Sequence, residues 1–196
     1  MHHYKNIFAR LALALALCAS AGGAGATAVP YFHVDIDTST LGSGSAYLGF
    51  NFLVLSDTGS SASLSGLTGA LVGAENTSGS VSGALPGTVV FSSPGGGGDL
   101  VQAITLGGHF IFDVSFVAGS GDGSAFSWAL FNDTSYLGAN GDLGSIFVQP
   151  GAPIGQQLSF VTNALTQVNQ VPEPAPFLLM LVAGCAMFAA LRRRQG

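Results

Sequence analysis

Between His109 and Val117 every second side chain is large and apolar: Phe110, Phe112, Val114 and Phe116 share one parity, while His109, Asp113 and Ser115 take the other. Successive side chains of an extended chain point to opposite faces, so this alternation predicts a strand with one buried face. Phe126, Trp128 and Leu130 repeat the pattern in the following block. Tyr31–Asp37 sets Phe32, Val34 and Ile36 against His33, Asp35 and Asp37. The same reading predicts strands over 46–55, 61–67, 88–92, 100–106, 145–149 and 157–162. Between them lie glycine- and serine-rich connections at 42–45, 94–99, 119–123 and 138–141, where glycine supplies turn conformations that other residues resist. No helical periodicity precedes the C-terminal segment. The expected fold is all-β, an antiparallel sandwich or jelly-roll-like domain.

The two ends of the chain have a different pattern. Lys5 and Arg10 precede an apolar run from Leu11 to Leu17, and a stretch of small residues closes on Ala26, Thr27 and Ala28. This is the three-part layout of a secretory signal, read by the Sec translocon and cut by signal peptidase. Ala26 and Ala28 occupy the small-residue positions of the cleavage site, so residues 1–28 form the expected signal peptide. Cys18 comes after Leu17 rather than a small residue, which favours plain cleavage over lipidation. At the other end, Pro172, Glu173 and Pro174 introduce an uncharged apolar run of 15 residues, Phe177 to Leu191, with Arg192, Arg193 and Arg194 directly after it. As a helix this run reaches ~22 Å, short of a ~30 Å hydrocarbon core. It is expected to anchor weakly in the inner membrane, with the arginines on the cytoplasmic side and the preceding domain outside.

Composition sharpens the picture once the ends are set aside. Residues 29–171 contain no Lys, Arg or Cys, and their acids are Asp35, Asp37, Asp57, Glu75, Asp99, Asp113, Asp122, Asp133 and Asp142. Phosphate backbones require cationic partners, so nucleic acid is excluded as a ligand. Cysteine nucleophiles, thiolate metal sites, intradomain disulfides and lysine Schiff bases are excluded on the same inventory. These 143 residues suffice for one domain with one core.

Four groups of residues could carry chemistry. Ser56 to Ser61 resembles the Asp-Thr-Gly-Ser turn of aspartic peptidases, with Asp57 as the acid, but two such carboxylates must share a proton and only one copy is present. A homodimeric peptidase is therefore the remote alternative to an ordinary turn. His33, Asp35 and Asp37, and likewise His109 and Asp113, alternate on strand faces where they could ligate an ion; a solvated outward face explains them as well. Asp99, Asp122, Asp133 and Asp142 lie among turn residues, where calcium binding and turn propensity make the same demand. Tyr31, Tyr47, Trp128 and Tyr136 could form a sugar-stacking platform, although Trp128 alternates with core residues and is expected inside. No cofactor, metal site or catalytic residue is assigned.

The arrangement of Pro172 to Pro174, a short apolar helix and a basic end resembles the sorting signal of PEP-CTERM proteins over residues 172–196. That resemblance implies recognition and cleavage by exosortase, transient residence in the inner membrane, and a destination at the cell surface or in the extracellular matrix. It also implies association with exopolysaccharide. Within 29–171, Phe32 to Thr38, Tyr47 to Phe52, Ser82 to Thr88 and the aromatic blocks near Phe110 and Phe126 are similar to one group of such proteins and bring no catalytic residues with them. The expected function is that of a non-catalytic exported protein, with a carbohydrate-binding sandwich module as the alternative.

A tail anchor has no need of a carboxylate between two prolines, so Glu173 separates sorting from anchoring. In a host with exosortase, wild-type protein is expected to lose its C-terminal helix, while Glu173→Gln and Pro172→Ala accumulate uncut in the membrane. Intact mass of the membrane and surface fractions reads this out. Wild-type chain that keeps Arg192 to Gly196 in every fraction would leave only the anchor.

Overall fold

The computed structural model describes residues 31–55, 59–121, 123–152 and 157–171. They form twelve strands: β1 (Tyr31–Asp37), β2 (Ser45–Val54), β3 (Ser61–Thr68), β4 (Leu71–Gly79), β5 (Val81–Gly83), β6 (Val89–Ser92), β7 (Gly97–Thr105), β8 (His109–Val117), β9 (Ser124–Phe131), β10 (Asp142–Val148), β11 (Leu158–Thr162) and β12 (Thr166–Val171). All pair antiparallel in two six-stranded sheets. The first runs β12-β1-β8-β3-β6-β5 and the second β11-β10-β9-β2-β7-β4. The fold is a β-sandwich, as the alternation predicts. Among the described residues no helix is long and apolar enough to cross a membrane. The expected signal peptide, with Ala26 and Ala28, and the segment holding Pro172, Glu173, Pro174 and Arg192 to Arg194 lie outside those residues, as does Asp57.

The apolar parity of the strands around the aromatic blocks faces inward, whereas Phe160 and Val161 of the predicted 157–162 strand are exposed. Phe32, Val34 and Ile36 of β1, Phe110 to Phe116 of β8, Leu48, Phe50 and Phe52 of β2, and Phe126, Trp128 and Leu130 of β9 are all buried in one core. Rings from the two sheets meet edge to face: Phe50 against Phe112 at 5.1 Å, Phe112 against Trp128 at 5.8 Å, and Phe91 against Phe126 at 5.5 Å. This geometry sets the positive edge of one ring against the negative face of the next and adds about 0.5–1.5 kcal/mol per pair beyond burial. The Trp128 indole N–H donates to Thr166 Oγ1 of β12 across the core at 3.4 Å. Gly144 lets β10 pass under that indole, since a Cβ there would overlap the ring.

Four other strands depart from the sequence expectation. β4 is a mostly exposed edge of Gly, Ala, Asn, Thr and Ser, with a register shift between Val72 and Asn76 that erases any period of two. Buried Gln102 of β7 serves that irregularity by donating through its amide to the Val72 carbonyl at 3.0 Å. β5 is three residues long, and β12 carries polar residues on both faces. β7 also begins earlier than the 94–99 turn suggests. Gly97, at φ 113, packs where a Cβ would strike the Phe52 carbonyl, so the glycine run is part of the ladder.

Gly144→Ala forces a methyl into the Trp128 ring and is expected to destabilise the domain by about 1–3 kcal/mol. Urea denaturation of the two proteins checks this, and equal midpoints would show that the indole has room to move.

Candidate functional site

The outward parity of the second sheet builds a depression in three rows, each set by strand register. Tyr47 of β2 lies opposite Phe131 of β9, and Phe131 bridges to Tyr136, giving an aromatic row. Two residues along, Val101, Gly49 and Ala129 align as a row of small and aliphatic side chains. Two further on, Ser78, Asp99, Asn51 and Ser127 align as a polar row. At about 3.4 Å per residue the aromatic and polar rows stand ~14 Å apart. Between them is an open cavity of about 480 Å³, bordered also by Asp142.

Local chemistry holds each wall in place. Tyr47 and Phe131 stack with centroids 5.6 Å apart and planes at 28°, and Tyr136 meets Phe131 edge-on at 6.2 Å. Tyr136 reaches this position because Asn132 folds the chain back. Its Oδ1 accepts from the backbone N–H groups of Thr134 and Ser135 at 2.9 Å, an Asx-type turn. The Leu137 N–H then donates to the Leu130 carbonyl at 2.8 Å. Gly49 is required beneath the ring, since a Cβ there would sit 2.9 Å from Phe131 Cε1. Across the floor, Asp99 accepts from Asn51 Nδ2 at 2.5 Å and from Ser78 Oγ at 3.3 Å. These bonds fix the carboxylate and the amide while leaving lone pairs and N–H groups toward the depression. Tyr136 is 56% exposed, so a large aromatic face is presented to solvent.

The sugar-platform expectation is corrected in membership. Trp128 is fully buried, as its alternation with core residues predicts, and Tyr31 belongs to the opposite sheet. Tyr47 and Tyr136 are brought together, and Phe131 is the member that sequence reasoning missed. Its only signal was its place as the last outward residue of a strand.

The outward face of the first sheet gathers the histidines and aspartates read as two separate alternating sets. β1 and β8 are neighbours with His33 opposite Asp113 and Asp37 opposite His109. His33 Nδ1–H donates to Asp113 Oδ1 at 2.7 Å, and His109 Nδ1–H donates to Asp35 Oδ1 at 2.8 Å, with Asp37 3.8 Å from His109 Nε2. The solvated-face expectation is therefore refined to cross-strand pairing. Hydrogen bonding to Asp35, reinforced by its charge, raises the His109 pKa above 6.5. Asp37 is held below its usual value by hydrogen bonds from Ser39. The Tyr31 hydroxyl is pushed up to about 12 by its hydrogen bond to Asp113, by burial and by that carboxylate's charge. Among the described residues no group of three or more His, Cys, Asp or Glu could hold a metal ion. Asp99 and Asp142 belong to the depression on the other sheet, and Asp122 lies outside the described residues.

No family model, curated protein or solved structure matches the chain.

His109 binds its proton more tightly folded than unfolded, so its stabilisation is complete below pH 6.5 and is lost as pH rises through the raised value. Asp37 acts in the opposite sense, at acid pH: its contribution is present above 3.8 and fades as pH falls through its lowered value. Thermal midpoints are expected to decline as pH rises above 6.5 in the wild type and to flatten in His109→Gln. Parallel curves for the two proteins would rule out the Asp35 pairing as the cause.

Proposed function

We propose that the protein is a non-catalytic, exported surface or matrix protein whose sandwich binds neutral polysaccharide in the three-row depression. The carrying observation is the pairing of an aromatic row, exposed at Tyr136, with a hydrogen-bonded Asp99–Asn51 row across a floor of small side chains. A pyranose presents C–H faces to aromatic rings and hydroxyl edges to carboxylate and amide, and the depression supplies both partners at a width suited to ring-shaped ligands. Residues 29–171 carry nine carboxylates and no cation besides histidine, so acidic glycans are repelled while neutral chains are not. Export by the signal peptide, exosortase sorting through Pro172 to Pro174 and delivery to an extracellular matrix agree with such a ligand. The sequence of strand pairings β1-β8-β3-β6 against β2-β7-β4 supports the jelly-roll form of sandwich, in which consecutive strands cross between sheets.

A glycan array followed by calorimetry on residues 29–171 tests this. Tyr136→Ala is expected to weaken binding of a neutral glycan about fivefold, the equivalent of one aromatic contact. Asp99→Asn should weaken it as well without altering the thermal midpoint. Absence of any glycan binding, or binding indifferent to both substitutions, would refute the assignment.

A further inference from the structure

The chain enters and leaves the sandwich at one end. Tyr31 pairs with Val171 and Ser115, and Ser61 with Val117, in the last rows of the first sheet. In the second sheet the matching rows are Leu53 with Ala125 and Val54 with Ser124, next to Val148 and Leu158. The connection from Val54 to Ser61 joins the same ends of both sheets.

Exposed large apolar side chains gather there. Leu55 is 74% exposed, Val117 53%, Leu53 52%, Val171 41% and Phe147 37%. Leu53, Leu55 and Phe147 border a mostly apolar cleft of about 240 Å³ together with Ala125 and Val148. Val117 and Val171 point outward from the first sheet, and Leu53 and Phe147 from the second. One helix or one peptide in a groove cannot cover both faces, whereas a plane meeting the end of the sandwich can. Among the described carboxylates, Asp37 lies in the opposite terminal row, Asp113 and Asp142 lie in middle rows, and Asp99 is two residues in from the Leu53 row. Asp57 and Asp122, in the connections at this end, lie outside the described residues.

The chain beyond Val171 identifies the plane. Residues 172–176 precede the apolar run 177–191 and include three prolines, so even fully extended five residues span at most ~18 Å. The lipid headgroup layer takes up about 5–8 Å of that reach. We propose that, while the C-terminal segment is uncut, the apolar end of the sandwich rests on the outer surface of the bilayer, with Leu55 and Val117 at the lipid interface. This contact rests on the anchoring reading of 177–191. The aromatic wall of the depression, with Tyr136, lies toward the far end and stays open to the outside.

The test uses the mature chain, residues 29–196, with Cys185→Ser, reconstituted in phosphatidylcholine vesicles. Single cysteines at Leu55→Cys, Val117→Cys and, as the far-end control, Ser39→Cys carry an environment-sensitive dye, and nitroxide-labelled lipid is the quencher. Labels at positions 55 and 117 are expected to lose about half their emission, while the label at 39 keeps its own. If the chain floats with the vesicles and positions 55 and 117 are quenched no more than 39, the contact is overturned while the anchor stands. If the chain does not float, the anchor reading fails and the contact with it.

Discussion

Phe112 stands edge-on to both Phe50 and Trp128, and the rest of the molecule depends on that layer of rings between the sheets. The described domain has no cysteine and no lysine or arginine, so neither a disulfide nor an ion pair with a permanent cation can hold the sheets together. Burial of aromatic and aliphatic surface, at roughly 25 cal/mol per Å², is the contribution left to oppose chain entropy. Rings also constrain the spacing: each edge-to-face pair fixes where one strand can sit above another, which is why glycine recurs where backbone and ring meet, as at Gly144 under Trp128.

With the inward parity given over to this layer, the outward parities are free to differ. One face became a ladder of histidine, aspartate and serine, the other a trough of aromatic, small and polar rows. Both are consequences of register. His33 meets Asp113, 80 positions away, only because β1 and β8 pair at that offset. A slip of one residue would turn every member of either set into the core.

Register also explains what could and could not be read in the sequence. The strands with one buried face announced themselves by period, and Phe110 to Phe116 left no alternative to an inward face. β4 carried no such signal, because it is an edge whose ladder breaks between Val72 and Asn76, and the residue that compensates, Gln102, sits on another strand. The depression was half legible. Tyr47 and Tyr136 were visible as aromatic residues outside the core pattern, but Phe131 resembled any strand-terminal phenylalanine, and the Asp99–Asn51 bond joins residues 48 apart. Pairing partners are a property of topology, and alternation reports only which side of a strand a residue occupies.

The adjacency of Tyr31 and Val171 also governs how the domain bears mechanical load. β12 is an edge strand bound along one side to β1, and its final residue is the point at which the chain continues toward the C-terminal segment. If the proposed anchor and bound polymer pull against each other, the load enters at Val171 and, with the polymer toward the other end of the sandwich, runs along β12. The hydrogen bonds from Tyr31↔Val171 to Ile36↔Thr166 would then resist together in shear rather than open one by one. The Trp128–Thr166 bond ties the other end of β12 to the ring layer, so the same load would reach the core through it.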